Sequence, residues 1–240
     1  KDKLYSYDNL PNALVHLVEG YLDYSKEVIL ERALPNIDGF KPSQRRILYS
    51  MKYLERDNDL TKDLTKSAGI VGTTMKIHPH GDSSIYDTMV RMTDCAMYLN
   101  TPFVKGKGSF GHVFSTDEKA AASRYTECMF TDIAKECFRG MNGIEMIPSY
   151  DNKLKEPLLL PISYPSILCN TSQGIAVGIS TNIPSFNFHE VNKATIEYIK
   201  TGEIKKALAP DFTTGGSYIL NEHELKKLME TGNAKIKLRG

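Results

Sequence analysis

The chain has 240 residues, with 30 Lys and Arg against 29 Asp and Glu, a formal net charge of +1 at pH 7 and 41% hydrophobic residues. Such a chain can bury one or two ordinary cores, and the absence of a run of 18 apolar residues or an apolar leader argues against a membrane span or export. Four cysteines without C-x-x-C spacing favour a reduced, cytoplasmic protein over a disulfide-stabilised one.

Two helices are predicted before residue 55. The first runs from about Leu14 to Leu34, because Pro35 disfavours helix at the residue before it. The second begins near Pro42, a favourable first helical residue. Its apolar spacing predicts a buried face made of Ile47, Leu48, Met51 and Leu54.

The opposite face of the second helix is basic. Residues 41–76 contain eight Lys or Arg against four Asp or Glu. The pattern indicates either an ordinary solvated face or a contact with nucleic-acid phosphates. The repeated positions are Arg45, Tyr49, Lys52 and Arg56.

The following segment predicts a helix-turn-helix. Two helices, about Thr61–Met75 and Asp82–Arg91, are joined by HPHG, and Asp82 or Ser83 could cap the second. His78 and His80 lack acid or cysteine partners at metal-ligand spacing, so no metal site is predicted there. Residues 57–59 (DND) are read as solvated loop.

Residues 120–127 (AAASRYTE) place a tyrosine beside an arginine. Apolar spacing from Met129 predicts a helix that ends at Gly140, with Thr126 as its N-cap. Tyr125 would then lie at the positive end of a helix, where phosphate binds favourably, and Arg124 could stabilise charge on phosphorus. The alternative is an Arg-Tyr pair that only packs at the surface.

Residues 106–113 (GKGSFGHV) fit both the dinucleotide-binding and the protein-kinase glycine patterns. No helix pattern follows directly and no kinase H-R-D or D-F-G motif is present, so neither of these two functions is favoured.

The character of the chain changes after about residue 148. Residues 162–168 and 175–179 look like short strands. Two helices follow, the first capped by Asn187 with Glu190 and ending at Gly202, the second capped by Asn221 with Glu224 and ending at Gly232. Residues 235–239 alternate like a strand.

Five collinear blocks resemble the DNA-cleaving A subunit of bacterial type IIA topoisomerases, the family of gyrase and topoisomerase IV. They are residues 31–35 (ERALP), 38–46 (DGFKPSQRR), 78–91 (HPHGDSSIYDTMVR), 120–127 and 174–184 (GIAVGISTNIP). Five blocks in one order are far more specific than any single block.

The resemblance implies a role for each matching residue. Tyr125 would be the covalent nucleophile and Arg124 its transition-state partner, while Ile175 would insert between base pairs and Ser83 and Asp87 would hold quinolone drugs through a water-metal bridge. At Gln44 many relatives have histidine, which puts a proton-transfer role there in doubt. The residues expected to bind DNA phosphate are Arg32, Lys41, Arg45, Arg46, His78 and His80.

The resemblance also implies an α+β fold: an N-terminal helix and winged-helix DNA-cleavage domain over residues 1–150, then part of an α/β tower domain over 151–240. The function would be breaking and rejoining of duplex DNA through a 5′-phosphotyrosyl bond, in the bacterial cytoplasm at the nucleoid. Mg²⁺ and ATP would be bound by a partner B subunit within an A₂B₂ complex. The rival reading is a winged-helix DNA-binding module without chemistry.

Overall fold

The computed structural model describes residues 10–54, 63–115, 117–219 and 221–239. The helices are α1 (Leu10–Val28), α2 (Pro42–Leu54), α3 (Ser67–Thr74), α4 (Asp82–Arg91), α5 (Asp132–Glu136), α6 (Ser166–Cys169), α7 (Phe188–Thr201) and α8 (Glu222–Thr231). The strands are β1 (Thr65–Lys66), β2 (Val104–Lys107), β3 (Glu127–Phe130), β4 (Met146–Pro148), β5 (Lys155–Pro157), β6 (Ser172–Ile175), β7 (Ser180–Ile183), β8 (Ser217–Ile219) and β9 (Lys237–Arg239).

Helices are interspersed with small antiparallel sheets, so the predicted α+β class is confirmed. No helix within the four described ranges is long and apolar enough to cross a bilayer. The predicted end of the first helix is also confirmed: α1 continues as a π-helical turn, Ile29–Ala33, and Leu34 is already extended before Pro35.

The larger core forms where α2, α3 and α4 pack together and against a three-stranded sheet in the order β1-β3-β2. Ile47, Leu48 and Met51 are fully buried as predicted, whereas Leu54 is half-buried at the end of α2. These helices and this sheet are the parts that a winged helix requires, and that assignment stays a prediction, as does the tower.

The predicted helix from Met129 is wrong in its first turn. Residues 127–130 form β3, which pairs with β2 so that Val104 lies opposite Phe130. Helix α5 begins only at Asp132, and Gly140 lies beyond its end with φ 90°. The apolar residues therefore belong to a strand followed by a short helix, a combination that mimics helical spacing.

The two helices of the predicted helix-turn-helix are present with changed ends. The predicted start at Thr61 lies outside the described residues, and α3 begins at Ser67 because Thr65 and Lys66 pair with β3. Helix α4 has the predicted bounds, but neither proposed cap is used: its N-cap is Gly81, without a side-chain cap bond. Arg56 and residues 57–59 also lie outside the described residues.

A smaller core lies in the second half of the chain, around Cys169, Phe186, Val191, Ala194 and Leu208. The predicted caps of α7 and α8 are confirmed, because Asn187 and Asn221 each accept two backbone N–H bonds. Gly202 and Gly232 end these helices in the left-handed region, and 237–239 forms a strand.

Two predicted strands in this half are wrong. Residues 162–168 form no strand and run into α6. Residues 175–179 are the end of β6 and the turn into β7, so the glycine at position 178 supplies a turn with φ 75°. The boundary near residue 150 stays a prediction.

Candidate functional site

Tyr125 lies on an exposed loop, residues 120–126, which we call the tyrosine loop. Its side chain is 66% exposed, and the guanidinium carbon of Arg124 lies 4.6 Å from its ring centroid. The predicted position of Tyr125 at a helix N-terminus is wrong, because β3 follows directly. The Tyr125 side chain is therefore exposed to solvent, and the permanent positive charge of Arg124 lies over its ring.

The first turn of α3 holds the tyrosine loop. The N–H groups of Ser67 and Ala68 donate to the carbonyls of Thr126 and Ser123, at 3.0 and 3.1 Å. Free N–H groups at a helix start require acceptors, and here loop carbonyls provide them. This helix N-terminus thus fixes the loop and leaves these two donors occupied.

The glycine-rich segment packs against the same loop. Gly108 has φ 111°, and a Cβ there would lie 3.3 Å from Thr126 Cγ2 and 3.4 Å from the Tyr125 carbonyl oxygen. Glycine allows both this conformation and this approach. The glycine-rich segment is therefore in direct contact with the backbone around the tyrosine.

Arg46 organises a second cluster on α2. Its Nε and Nη2 donate to the Glu156 carboxylate at 2.6 and 2.9 Å, and its Nη1 lies 3.0 Å from His78 Nδ1. Glu31 approaches the same guanidinium at 3.5 Å. Most of this guanidinium is thus paired with acids of the chain itself.

His78 is held neutral by this arrangement. Burial, followed by the nearby His80 and Arg46, lowers the pKa of His78 to about 4. Arg46 can only donate, so His78 Nδ1 accepts and the ring proton resides on Nε2. The exposed His80 ring stacks on His78 at 4.0 Å between centroids, and is the one of the pair available to a ligand.

Arg45 is buried, which corrects its predicted place on an exposed basic stripe. Only 7% of the residue is exposed, and its guanidinium donates to both Asp38 carboxylate oxygens at 2.6 and 2.9 Å. Asp38 also accepts the N–H groups of Phe40 and Leu160. This ion pair fixes the turn before α2 to the later chain, since a buried charge must be paired.

A groove forms where β6 and β7 meet the π-helical turn after α1. Gly174 lies so close to that turn that an added Cβ would be 1.9 Å from the Ala33 carbonyl oxygen. Ile175 is next to it and 88% exposed, which excludes a core role in the described chain. The groove is lined by basic residues and by residues of the hairpin, including Arg32, Lys41, Ile175 and Asn182.

Lys41 and Gln44 shape the start of α2 beside this groove. Lys41 Nζ donates to the Gln173 carbonyl, and burial, with a smaller effect of Arg91, lowers the pKa of Lys41. Gln44 Oε1 accepts the Lys41 N–H at 3.0 Å, which is half of a capping box. Gln44 therefore stabilises the helix start.

Ser83 and Asp87 are both exposed, one helical turn apart on α4. Tyr86, which lies between them in the sequence, points inward and contacts the tyrosine loop. One short helix thus carries the two predicted drug-binding residues and a support of the loop.

The structure places the predicted residues in several separate groups rather than in one. Arg124 with Tyr125 lies at the start of α3, whereas His78 and His80 follow its end, and an eight-residue helix is about 12 Å long. Sequence reasoning missed Ser67, Tyr86 and Glu156, whose partners are distant in the chain. It also missed Asp38, which pairs with Arg45 seven positions away and accepts the N–H of the distant Leu160. No group of three His, Cys, Asp or Glu side chains suited to a metal ion exists among the described residues.

Comparisons with known proteins agree on one family. The family of the DNA gyrase/topoisomerase IV A subunit matches residues 32–240. The DNA gyrase A subunit of Thermotoga maritima is 43% identical over 235 residues, 93% of this chain and 28% of the relative, and that of Staphylococcus aureus is 42% identical over 241 residues, 96% and 26%. The chain thus spans about a quarter of the length of the curated relatives it matches. It belongs to the family of DNA gyrase and topoisomerase IV A subunits.

Proposed function

We propose that this chain is the DNA-cleaving part of a type II DNA topoisomerase, an isomerase that passes one duplex through another. The observation that carries the proposal is the exposed Tyr125, with Arg124 over its ring, on a loop fixed at both ends. Membership of the gyrase A family and the relatives' printed names support it.

Tyr125 Oη attacks a backbone phosphorus, forms the new P–O bond, and releases the 3′ oxygen of the neighbouring nucleotide as a hydroxyl. The tyrosine proton passes to solvent or a base, and the 3′ oxygen takes up a proton. Arg124 neutralises the charge that builds on the phosphoryl oxygens. Attack of the 3′-hydroxyl on the 5′-phosphotyrosyl bond reverses the step, so rejoining needs no other energy source.

In this proposal duplex DNA is held by side chains that reach solvent rather than by the buried Arg45. Arg32, Lys41 and His80 contact flanking phosphates in this proposal, and Ile175 enters the base stack from the tip of the hairpin. His78 stacks on His80, and Arg46 is hydrogen-bonded to His78, so these two residues hold the His80 ring in place. Arg45 acts through the fold, because Asp38 occupies its guanidinium.

A B subunit supplies Mg²⁺ and ATP in this proposal. Two A and two B subunits form the complex, and quinolones bind at the exposed Ser83 and Asp87 beside the cleaved DNA. These steps take place in the cytoplasm at the nucleoid.

The nucleophile is tested by replacing Tyr125 with Phe in the full-length chain assembled with its B subunit. Loss of one exposed oxygen leaves packing intact, so the variant should bind DNA with unchanged affinity and form no covalent adduct after detergent denaturation. Arg124→Ala should bind and lose cleavage by about 10²-fold, as when a transition-state donor is removed.

The rival is a winged-helix module that binds DNA without cutting it. Such a module gives no adduct in the unmodified protein either, so absence of adduct in both proteins would establish it. Appreciable adduct in Tyr125→Phe would instead move the nucleophile to another residue.

A further inference from the structure

Tyr86 reaches from α4 into the tyrosine loop. Its hydroxyl donates to the Ala121 carbonyl at 2.7 Å and lies 2.9 Å from Thr126 Oγ1. These contacts fall on the two sides of Arg124 and Tyr125. One side chain therefore bridges the start and the end of the segment that carries both reacting residues.

The hydroxyl contacts continue beneath the loop. Thr126 Oγ1 donates its only proton to Ser67 Oγ at 2.8 Å, and Ser67 Oγ lies 3.4 Å from Cys128 Sγ. Tyr86 must therefore share its own proton between Ala121 and Thr126. We call Tyr86, Thr126 and Ser67 the hydroxyl chain.

The hydroxyl chain is largely removed from water. Thr126, Ser67 and Cys128 are 0% exposed, and burial raises the pKa of the Tyr86 phenol, which keeps it a donor. Hydrogen bonds in such surroundings are strong, and a partner left without one is costly. The hydroxyl chain thus holds the tyrosine loop in one defined position rather than several.

The exposed faces of the same loop have no comparable fixation. Arg124 and Tyr125 are exposed side chains, and Tyr125 is tied to its own loop by an N–H bond to Ala122 at 2.8 Å. Their placement depends on the backbone beneath them. A misplacement of 1 Å at a reacting group can cost on the order of a hundredfold in rate.

We propose that Tyr86, through Thr126 and Ser67, is a positioning residue that sets Tyr125 and Arg124 for attack on DNA phosphate. The inference rests on the proposed function and extends it to side chains that touch neither DNA nor the reacting atoms. It also makes α4 a link between the exposed Ser83 and Asp87 and the tyrosine loop.

The test uses Tyr86→Phe in the full-length chain assembled with its B subunit, which removes only the hydroxyl. The rate of covalent adduct formation should fall on the order of ten- to a hundredfold, with the Kd for DNA unchanged. Tyr98→Phe is the matched control and should keep the wild-type rate, because the Tyr98 ring packs beneath Arg91 and its hydroxyl takes part in none of the hydrogen bonds of the hydroxyl chain.

Two variants of Thr126 separate positioning from general damage. Thr126→Ser keeps the hydroxyl and should retain most of the rate, whereas Thr126→Val should resemble Tyr86→Phe. The double variant Tyr86→Phe with Thr126→Val should be little slower than either single one, since both break one shared contact. A Kd for DNA that worsens in step with the rate would make the role merely structural and overturn the proposal.

Hydrogen exchange distinguishes failure here from failure of the proposed function. In Tyr86→Phe the amides of Ala121 and Tyr125 should exchange faster, whether or not adduct forms. Wild-type protein without adduct refutes the cleavage function, and unchanged loop exchange then refutes the fixation as well. Wild-type adduct with an unaffected Tyr86→Phe rate refutes the positioning role alone.

Discussion

Ser50 on α2 carries a hydroxyl that is buried without a hydrogen-bond partner, with the residue only 1% exposed. An unsatisfied buried hydroxyl costs about 1 to 3 kcal/mol, and Ala is the better helix former. Ser50→Ala should therefore raise the free energy of unfolding by about 1 kcal/mol in urea titrations. The matched control is Ser67→Ala, which removes the hydroxyl that accepts the Thr126 hydrogen bond and should lower the free energy of unfolding. Destabilisation by Ser50→Ala would show that the hydroxyl is hydrogen-bonded after all.

His78 predicts a dependence of stability on pH. Its folded-state pKa of about 4 lies below the ordinary 6.5, so protonation favours unfolding. The contribution to stability is complete above pH 6.5 and is lost as the pH falls toward 4, at no more than about 1.4 kcal/mol per pH unit.

The pH effect is measured by urea unfolding between pH 7 and 5. His78→Asn keeps an acceptor for Arg46 but cannot titrate, so it should flatten the slope, whereas the exposed His223→Asn should leave the slope as it is. An equal slope in His78→Asn and wild type would contradict the buried neutral state.

At the scale of elements, the sequence predicts those whose signals are local. Helices α7 and α8 carry an asparagine cap and a terminal glycine, so their ends follow from a few adjacent residues. Strand β3 depends on pairing with Val104–Lys107, 20 to 26 positions away, and no local signal distinguishes its residues from a helix.

The site divides in the same way. Tyr125 and Arg124 stand out because their chemistry is adjacent in sequence, and their roles stay proposals. The ion pair of Arg46 with Glu156 joins residues 110 positions apart, so spacing cannot reveal it. Arg45 is an example of a residue that spacing alone misplaces. Its position on the helix suggested a DNA contact, and only the structure shows that its guanidinium is paired with Asp38.

Substitutions at two neighbouring residues of the β6–β7 hairpin should have very different effects on stability. In Gly174→Ala the new Cβ would be 1.9 Å from the Ala33 carbonyl oxygen, so backbone must move and the free energy of unfolding should fall by about 1 to 3 kcal/mol. Ile175→Ala should change it by less than ~0.5 kcal/mol, because Ile175 is 88% exposed.

A helix glycine with open space is the control for this hairpin. Gly20 on α1 has nothing within 4 Å of an added Cβ, so Gly20→Ala should be stabilising by about 0.5 to 1 kcal/mol. Gly174→Ala with wild-type stability would mean that the hairpin does not rest on the turn after α1. A large loss in Ile175→Ala would return Ile175 to a packing role and remove the proposed wedge.

For the whole molecule, a formal net charge of +1 hides an uneven distribution of charge. Some cations are neutralised inside the fold, as Arg45 is by Asp38 and Arg46 by Glu156. Others, including Arg32 and Lys41, line the groove beside the hairpin. Affinity for DNA should therefore depend on a small set of groove cations rather than on net charge.

The salt dependence of DNA binding separates these two classes of cation. Arg32→Gln or Lys41→Gln should reduce the slope of log affinity against log salt by about 0.9, as expected when one cation no longer neutralises a phosphate, with little change in stability. Arg45→Met should leave the slope unchanged, because its guanidinium faces Asp38, while the unpaired buried carboxylate lowers the free energy of unfolding by about 3 to 5 kcal/mol. Binding measured by fluorescence anisotropy at several salt concentrations, with each variant's folding checked by circular dichroism, gives both quantities. A reduced slope in a stable Arg45→Met protein would return Arg45 to the DNA path, and unchanged slopes for Arg32 and Lys41 would move that path away from the groove.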